Sequence, residues 1–158
     1  MQRLWAPWRI KYIEVIGKEK GCVFCKAFKS KEDRKNYLIL RTADSLAILN
    51  IFPYNNGHLM VACRRHVSDL DKLNQKELFD LISVVKKMNS VLKKVLKPDG
   101  FNIGMNIGKD AGAGIDKHLH IHIVPRWKGD TNFMPVCSKT KIVSQSLNDL
   151  YSKIIKNI

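Results

Sequence analysis

The stretch His118-Leu119-His120-Ile121-His122-Ile123-Val124, running on into Pro125-Arg126, decides how the rest of this chain reads. Polar and apolar residues alternate, which is the period of a half-buried strand. The alternation sets His118, His120 and His122 on one face and turns Leu119, Ile121 and Ile123 toward a core. With a rise of ~3.3 Å per residue, neighbouring histidines on that face stand roughly 6.5–7 Å apart. Three imidazoles at that spacing can surround one anion or one metal ion. The chain has five histidines in all, and three fall at every second position of one strand.

Working outward, the elements around this strand are short. Tyr37 to Arg41 and Ser45 to Asn50 read as two strands joined by a turn at Thr42-Ala43-Asp44. Phe52-Pro53-Tyr54-Asn55-Asn56-Gly57 is turn chemistry, because proline fixes φ and Asn-Gly accepts positive φ. A third strand, His58 to Cys63, ends in Arg64-Arg65-His66. The clearest helix then opens at Asn74, with Glu77 three residues on as in a capping box. It carries Leu78, Ile82, Val85, Met88, Leu92 and Val95 as its apolar stripe and stops at Pro98-Asp99-Gly100. Phe101 to Ile107 alternates again as a fourth strand, and Gly108 to Gly114 is a glycine-rich loop leading into the histidines. Leu147, Leu150, Tyr151, Ile154, Ile155 and Ile158 recur at helical spacing, so the C-terminus is a docked helix. Residues 26–35 are highly charged and read as a surface loop or short helix. Strands in hairpin order with few helices between them imply an α+β fold, an antiparallel sheet of about five strands with helices packed on one face. The histidines then belong to the uncovered face.

A chain of 158 residues with 45% apolar content and no repeat, linker or low-complexity tract reads as one domain, 1–158. No apolar run approaches the ~18–20 residues of a membrane span. The first residues lack an apolar signal core, so a cytoplasmic protein with no membrane partner is expected. Four cysteines, two of them in Cys22-Val23-Phe24-Cys25, suit a reducing compartment and metal binding better than disulfides. The net charge of +14 attracts polyanions, a class that includes nucleotides and nucleic acid. No aromatic-studded basic groove or helix-turn-helix pattern is visible, which ranks nucleic acid below a small polyphosphate. Residues 1–16 carry Trp5, Trp8, Pro7 and Tyr12, too aromatic for a free tail, and are expected to pack on the body or on a second subunit.

Two constellations carry chemistry. Cys22 and Cys25 can grip one zinc ion, and since no second Cys-x-x-Cys exists the other two ligands have to be histidines from elsewhere. Separately, a neutral imidazole is a good nucleophile toward phosphorus and a good leaving group afterwards, so it splits one hard displacement into two easier ones. It needs a carbonyl to hold the proton on its far nitrogen, and donors for the developing charge. A histidine flanked at ±2 by others has such donors close by, and the loop Gly108-Lys109-Asp110-Ala111-Gly112-Ala113-Gly114 offers backbone N–H groups to phosphate oxygens.

The run His118 to Val124 resembles the signature of the histidine triad (HIT) family at every position. Asn50 to His66 and Asn106-Ile107-Gly108 are similar to the same family. The resemblance covers a core of about residues 20–126, leaving an N-terminal arm, 1–19, and a C-terminal extension with its helix, 127–158. Leu4-Trp5-Ala6-Pro7-Trp8-Arg9 and Pro125 to Phe133 resemble the bacterial branch akin to diadenosine tetraphosphate phosphorylases.

The resemblance implies that His120 attacks the α-phosphorus and forms a nucleotidyl-histidine, which water or phosphate then releases. It implies catalytic phosphate contacts from His122 and His58, a further one from Asn106, the loop glycines Gly112 and Gly114 at the phosphates, Asn50 on the ribose and Ile51 against the base. It also implies a structural zinc on Cys22, Cys25, His66 and His118, an adenine nucleotide as substrate, and a homodimer. His122 is the residue of hydrolases, where phosphorylase and transferase branches often carry glutamine. Ala111-Gly112-Ala113-Gly114-Ile115 lacks the polar Gln-Ser/Thr pair of many hydrolases, while the flanks lean to phosphorylases. Expected, then, is a nucleotidyl hydrolase or transferase acting on dinucleoside polyphosphates. The alternatives are a nucleoside phosphoramidate or adenylate hydrolase and a basic zinc-containing nucleic-acid-binding protein.

Overall fold

The computed structural model describes residues 21–131, 137 and 143–158, and its strands form one antiparallel sheet. The strands are β1 (Leu38–Arg41), β2 (Ser45–Leu49), β3 (Leu59–Cys63), β4 (Gly100–Gly104) and β5 (His120–Arg126), in the spatial order β1-β2-β3-β5-β4. The helices are α1 (Val23–Lys29), α2 (Gln75–Leu96) and α3 (Leu147–Ile155). The histidine strand is therefore interior, flanked by β3 and by the edge strand β4. The β1–β2 turn is closed by Thr42, whose hydroxyl accepts from Ser45 N–H at 2.9 Å.

Helix α2 begins as its sequence says. The Asn74 side chain accepts from Glu77 N–H and the Glu77 carboxylate accepts from Asn74 N–H, both at 2.9 Å, a reciprocal cap that satisfies two otherwise orphaned donors. It ends where Lys97 turns left-handed, φ +47°, ahead of Pro98. Its buried stripe runs through Leu81, Val84, Val85, Met88, Val91, Leu92 and Val95. Leu78 and Ile82, expected in that stripe, are 40% and 49% exposed. At ~100° per residue they sit roughly 80° and 120° from the centre of the buried arc. Both rows are apolar in sequence, and only packing against the sheet selects one.

Helices α2 and α3 cover the sheet face formed by Ala47, Leu49, Leu59, Val61, Ile121 and Ile123, with Leu150, Tyr151 and Ile154 of α3 completing this core. Ile155 and Ile158 of the expected C-terminal stripe are exposed. The opposite face carries the histidines and is not bare. Helix α1 lays Phe24 and Ala27 across Leu38, Leu46, Ile48, Met60 and Ala62 there, a second, smaller core. The fourth strand stops at Gly104, three residues short of the alternation's end, so Asn106 and Ile107 lie in the loop. The expectations for residues 1–16 fall outside the described residues. Among the described residues, no helix is long and apolar enough to cross a membrane.

Candidate active site and metal centre

Pairing of β3 with β5 sets Ala62 opposite His120 and Met60 opposite His122, so both imidazoles project from the α1 face of the sheet. His118 precedes the strand and is fixed separately, by Leu119 N–H donating to the Val67 carbonyl at 2.6 Å. All three are buried, His118 completely. Phe24 explains part of this, with its ring centred 5.1 Å from His118 and 5.0 Å from His120.

Hydrogen bonds assign the proton on each ring. His120 Nδ1 lies 2.8 Å from the His118 carbonyl, which can only accept, so Nδ1 carries the proton and Nε2 keeps its lone pair. His58 Nδ1 receives the Tyr54 N–H at 3.0 Å and the Asn50 amide at 3.2 Å, so its proton is on Nε2. That Nε2–H points at His122 Nδ1, 2.8 Å away. His122 must then carry its own proton on Nε2. The result is a lone pair on His120 beside an N–H on His122, with ring centres 4.8 Å apart.

Electrostatics keep these rings neutral. Burial, and then the neighbouring His122 and His120, lower His58 to about 3. Burial followed by His120 lowers His122 to about 4. His120 is also lowered by burial, partly opposed by its bond to the His118 carbonyl. At neutral pH the Nε2 lone pair of His120 is therefore available, which a nucleophile requires.

The metal-type donors converge at the other end of the row. Cys22 is the residue capping α1 and Cys25 lies in its first turn. His66 follows β3 at the end of Arg64-Arg65-His66. His118 Nδ1 is 3.1 Å from Cys22 Sγ, 3.6 Å from Cys25 Sγ and 3.2 Å from His66 Nδ1, and Cys25 Sγ is 3.3 Å from His66 Nδ1. All four donor atoms lie within 4.8 Å of one another. Tetrahedral zinc with ordinary Zn–S and Zn–N bonds sets such atoms about 3.3–3.8 Å apart. The His118 tautomer fits as well: its Nε2–H donates to the Cys63 carbonyl at 2.8 Å, which leaves the Nδ1 lone pair aimed into the cluster. The His118 lone pair, the neighbouring His66 Nδ1 and two sulfurs gathered around one point are donors of the type and number that zinc takes. Burial and then the adjacent Cys22 raise the Cys25 thiol, a cost that a bound cation removes.

Other site candidates have different placements. Asn50 is tied down at both ends of its amide, to His58 and, through Oδ1, to Phe52 N–H at 2.9 Å. Ile51 beside it is 47% exposed. Asn106 reaches across the glycine loop to the Gly112 carbonyl at 3.5 Å. Gly112 sits at φ +87° and Gly114 is exposed in the same loop. This loop leaves the sheet at Gly104, which pairs with His122, and returns at His120, so it spans the histidine end of β5.

Sequence reasoning passed over three groups. Tyr54, read there as part of a turn, places its ring 4.4 Å from His58 and 5.5 Å from His122. Phe24 lies between the two cysteines yet packs on the histidines. Arg65 and Glu77 form an ion pair, with Arg65 Nη2 to Glu77 Oε2 at 2.8 Å, joining the segment before His66 to the cap of α2. Asn55 and Gly57 hold the Tyr54–His58 turn. Asn55 donates to the Pro125 carbonyl at 3.0 Å, and a side chain at Gly57, φ +77°, would collide with Leu96 and Pro125.

Comparison with known proteins adds four findings. Residues 31–129 match the HIT domain model. The chain is 37% identical over 156 residues to the AP-4-A phosphorylase of Mycobacterium tuberculosis, covering 94% of this chain and 80% of that protein. It is 33% identical over 106 residues to the adenosine 5'-monophosphoramidase hnt1 of Schizosaccharomyces pombe, covering 67% of this chain and 74% of that one. Among solved structures, a histidine triad nucleotide-binding protein of Sulfolobus tokodaii superposes with a TM-score of 0.69 at 28% identity, over 86% of this chain and 91% of that one.

Proposed function

This chain belongs to the HIT domain family, and from that we propose that it is a nucleotidyl hydrolase or transferase that cleaves dinucleoside polyphosphates such as diadenosine tetraphosphate. The observation that carries the reading is the tautomer pair, a lone pair on His120 Nε2 beside an N–H on His122 Nε2. His120 Nε2 forms a bond to the α-phosphorus, and the bond from that phosphorus to the bridging oxygen breaks, its electron pair leaving on the departing nucleotide. Water or inorganic phosphate then attacks the same phosphorus and releases its proton to solvent. The N–P bond breaks and its pair returns to His120. The proton on His120 Nδ1 stays there throughout, donated in a hydrogen bond to the His118 carbonyl.

His122 donates its Nε2–H to a phosphate oxygen. His58 acts on His122, not on substrate: both its ring nitrogens are engaged with protein groups and it is 1% exposed. Asn106, Gly112 and Gly114 take further phosphate oxygens, and the Asn50–Ile51 flank receives the retained nucleoside, adenosine. A small-leaving-group reaction, hydrolysis of a nucleoside phosphoramidate, is the second reading, favoured by the similarity to the Schizosaccharomyces enzyme.

Cys22, Cys25, His66 and His118 hold a zinc ion in this reading. Bound there, it supplies a cross-link with no open position for water, since four protein ligands close a tetrahedral sphere. The residues it joins come from α1, from the segment after β3 and from the start of the histidine row, so the centre anchors the carbonyl that fixes His120. We further propose a single domain, a cytoplasmic location in keeping with its free cysteines, and a homodimer, supported by the outer edge of β4, which pairs with no further strand among the described residues and where Ile103 is 47% exposed. Product analysis tests the reaction. AMP and ATP from diadenosine tetraphosphate indicate attack by water, ADP and ATP with added phosphate indicate phosphorolysis, and no cleavage under either condition refutes the proposal.

A further inference from the structure

We infer that a groove on the β4 side of the histidine row holds the nucleoside of the departing half of a dinucleoside polyphosphate. The inference rests on the nucleotidyl-transfer reading above and adds a subsite to it. The groove measures about 290 Å³ and is lined by Tyr54, Asn55, Asn102, Val124, Arg126 and Thr131. It continues the catalytic face directly. On β5 the side chains of His120, His122, Val124 and Arg126 fall on one face at every second position, and Asn102 of β4 pairs with Val124.

Its walls suit a base and ribose better than a phosphate chain. Tyr54 is 55% exposed while its ring leans on His58 and His122, so one aromatic face remains open beside the reacting centre. Arg126 is held flat: Nε donates to Asp130 Oδ2 at 2.6 Å, Nη2 to Asp130 Oδ1 at 3.1 Å and Nη1 to Asn102 Oδ1 at 2.7 Å. Three of its five N–H groups are used, and its charge is matched by Asp130. A locally neutral wall does not compete for phosphates. An aromatic ring, a fixed guanidinium plane and a side-chain amide are the groups on which bases stack and hydrogen-bond. The volume lies at the small end of the ~300–1,000 Å³ of ligand sites, room for one nucleoside.

Position identifies which nucleoside. Asn50 and Ile51 follow β2, and the sheet order places β2 and β4 on opposite sides of the β3–β5 pair. The phosphates joining the two nucleosides pass over His120 and His122. With one nucleoside on the Asn50–Ile51 flank, the other falls across the histidine row, in this groove.

The test compares diadenosine tetraphosphate with adenosine 5'-tetraphosphate, which carries the same phosphate chain and lacks the second nucleoside. Adenosine 5'-phosphoramidate serves as a substrate with a small leaving group. Base–aromatic stacking of ordinary strength predicts a wild-type kcat/KM about tenfold or more higher for the dinucleotide than for the tetraphosphate. Asn102→Trp, at an exposed edge-strand position, fills the groove and should bring that ratio close to one. A wild-type ratio near one overturns the subsite without recourse to any variant. So does a folded Asn102→Trp protein, checked by thermal melting, that keeps the wild-type ratio. If wild type cleaves none of the three substrates, the nucleotidyl-transfer reading itself fails and takes the subsite with it.

Discussion

Replacing His58 by phenylalanine isolates the orienting role proposed for it. The side chain is almost completely buried, so a ring of similar size keeps the packing while removing both nitrogens. Three hydrogen bonds disappear, those from Tyr54 N–H and the Asn50 amide and the one to His122 Nδ1 at 2.8 Å. The first two leave donors without their acceptor. Asn50 is half-buried and recovers water, so the stability cost is about 1–3 kcal/mol, or roughly 3–10 °C in Tm. The third bond biases His122 toward the Nε2–H tautomer. A neutral hydrogen bond worth about 1–1.5 kcal/mol corresponds to a tautomer ratio of roughly ten. Its loss lets the Nε2–H fraction fall from about nine-tenths to about one half, so kcat should drop about twofold, against the ~10²–10³ expected for deleting the donor outright in His122→Ala. His58→Gln should restore much of the loss, because its amide can accept from Tyr54 N–H and donate to His122 together. The assays are steady-state release of AMP and nitrogen-15 NMR of the His122 ring, where the Nδ1–H form should rise in the phenylalanine variant. A His58→Phe variant as dead as His120→Ala would refute the orienting role and put His58 on the substrate. An unchanged kcat with an unchanged His122 tautomer refutes it from the other side.

His120→Ala should lose essentially all turnover and still bind nucleotide, and rapid quench with labelled substrate should trap a covalent adduct in wild type alone; more than a few per cent residual activity would remove His120 as nucleophile. Metal analysis should find about one zinc per chain, with Cys22→Ser lowering both zinc content and Tm; full retention of zinc in that variant would sink the four-ligand centre. Stability should fall in acid on account of His58 and His122, whose folded-state values near 3 and 4 lie below the ordinary 6.5. The unfolded chain then binds more protons between pH 6.5 and those values, so stability is complete above pH 6.5 and declines below it by about 1.4 kcal/mol per pH unit for each histidine. Denaturant melts of wild type and His58→Phe across pH 4–7 check this, and an equal acid slope in the two proteins contradicts it.

The alternation within His118 to Val124 was enough by itself to indicate a strand with one apolar and one imidazole face, although the strand starts only at His120 and a hydrogen bond from Leu119 to Val67 sets His118 ahead of it. The α2 cap was legible as well: Asn74 and Glu77 satisfy each other within four residues, and such local bonds need no distant partner. Family resemblance also carried the four metal-type ligands, and the donor atoms do converge, from segments nearly a hundred residues apart. Tertiary structure decided what depends on which neighbour a side chain meets. Leu78 and Ile82 look like core in sequence, yet the sheet accepts the adjacent row of α2 instead. Tyr54 reads as a turn residue, and only the clamp of Asn55 on Pro125 and the tight fit at Gly57 bring its ring onto the histidines. The tautomers belong to the same class. A sequence states that His58, His120 and His122 exist, but where each proton sits is set by the carbonyl or amide that the fold places against each nitrogen.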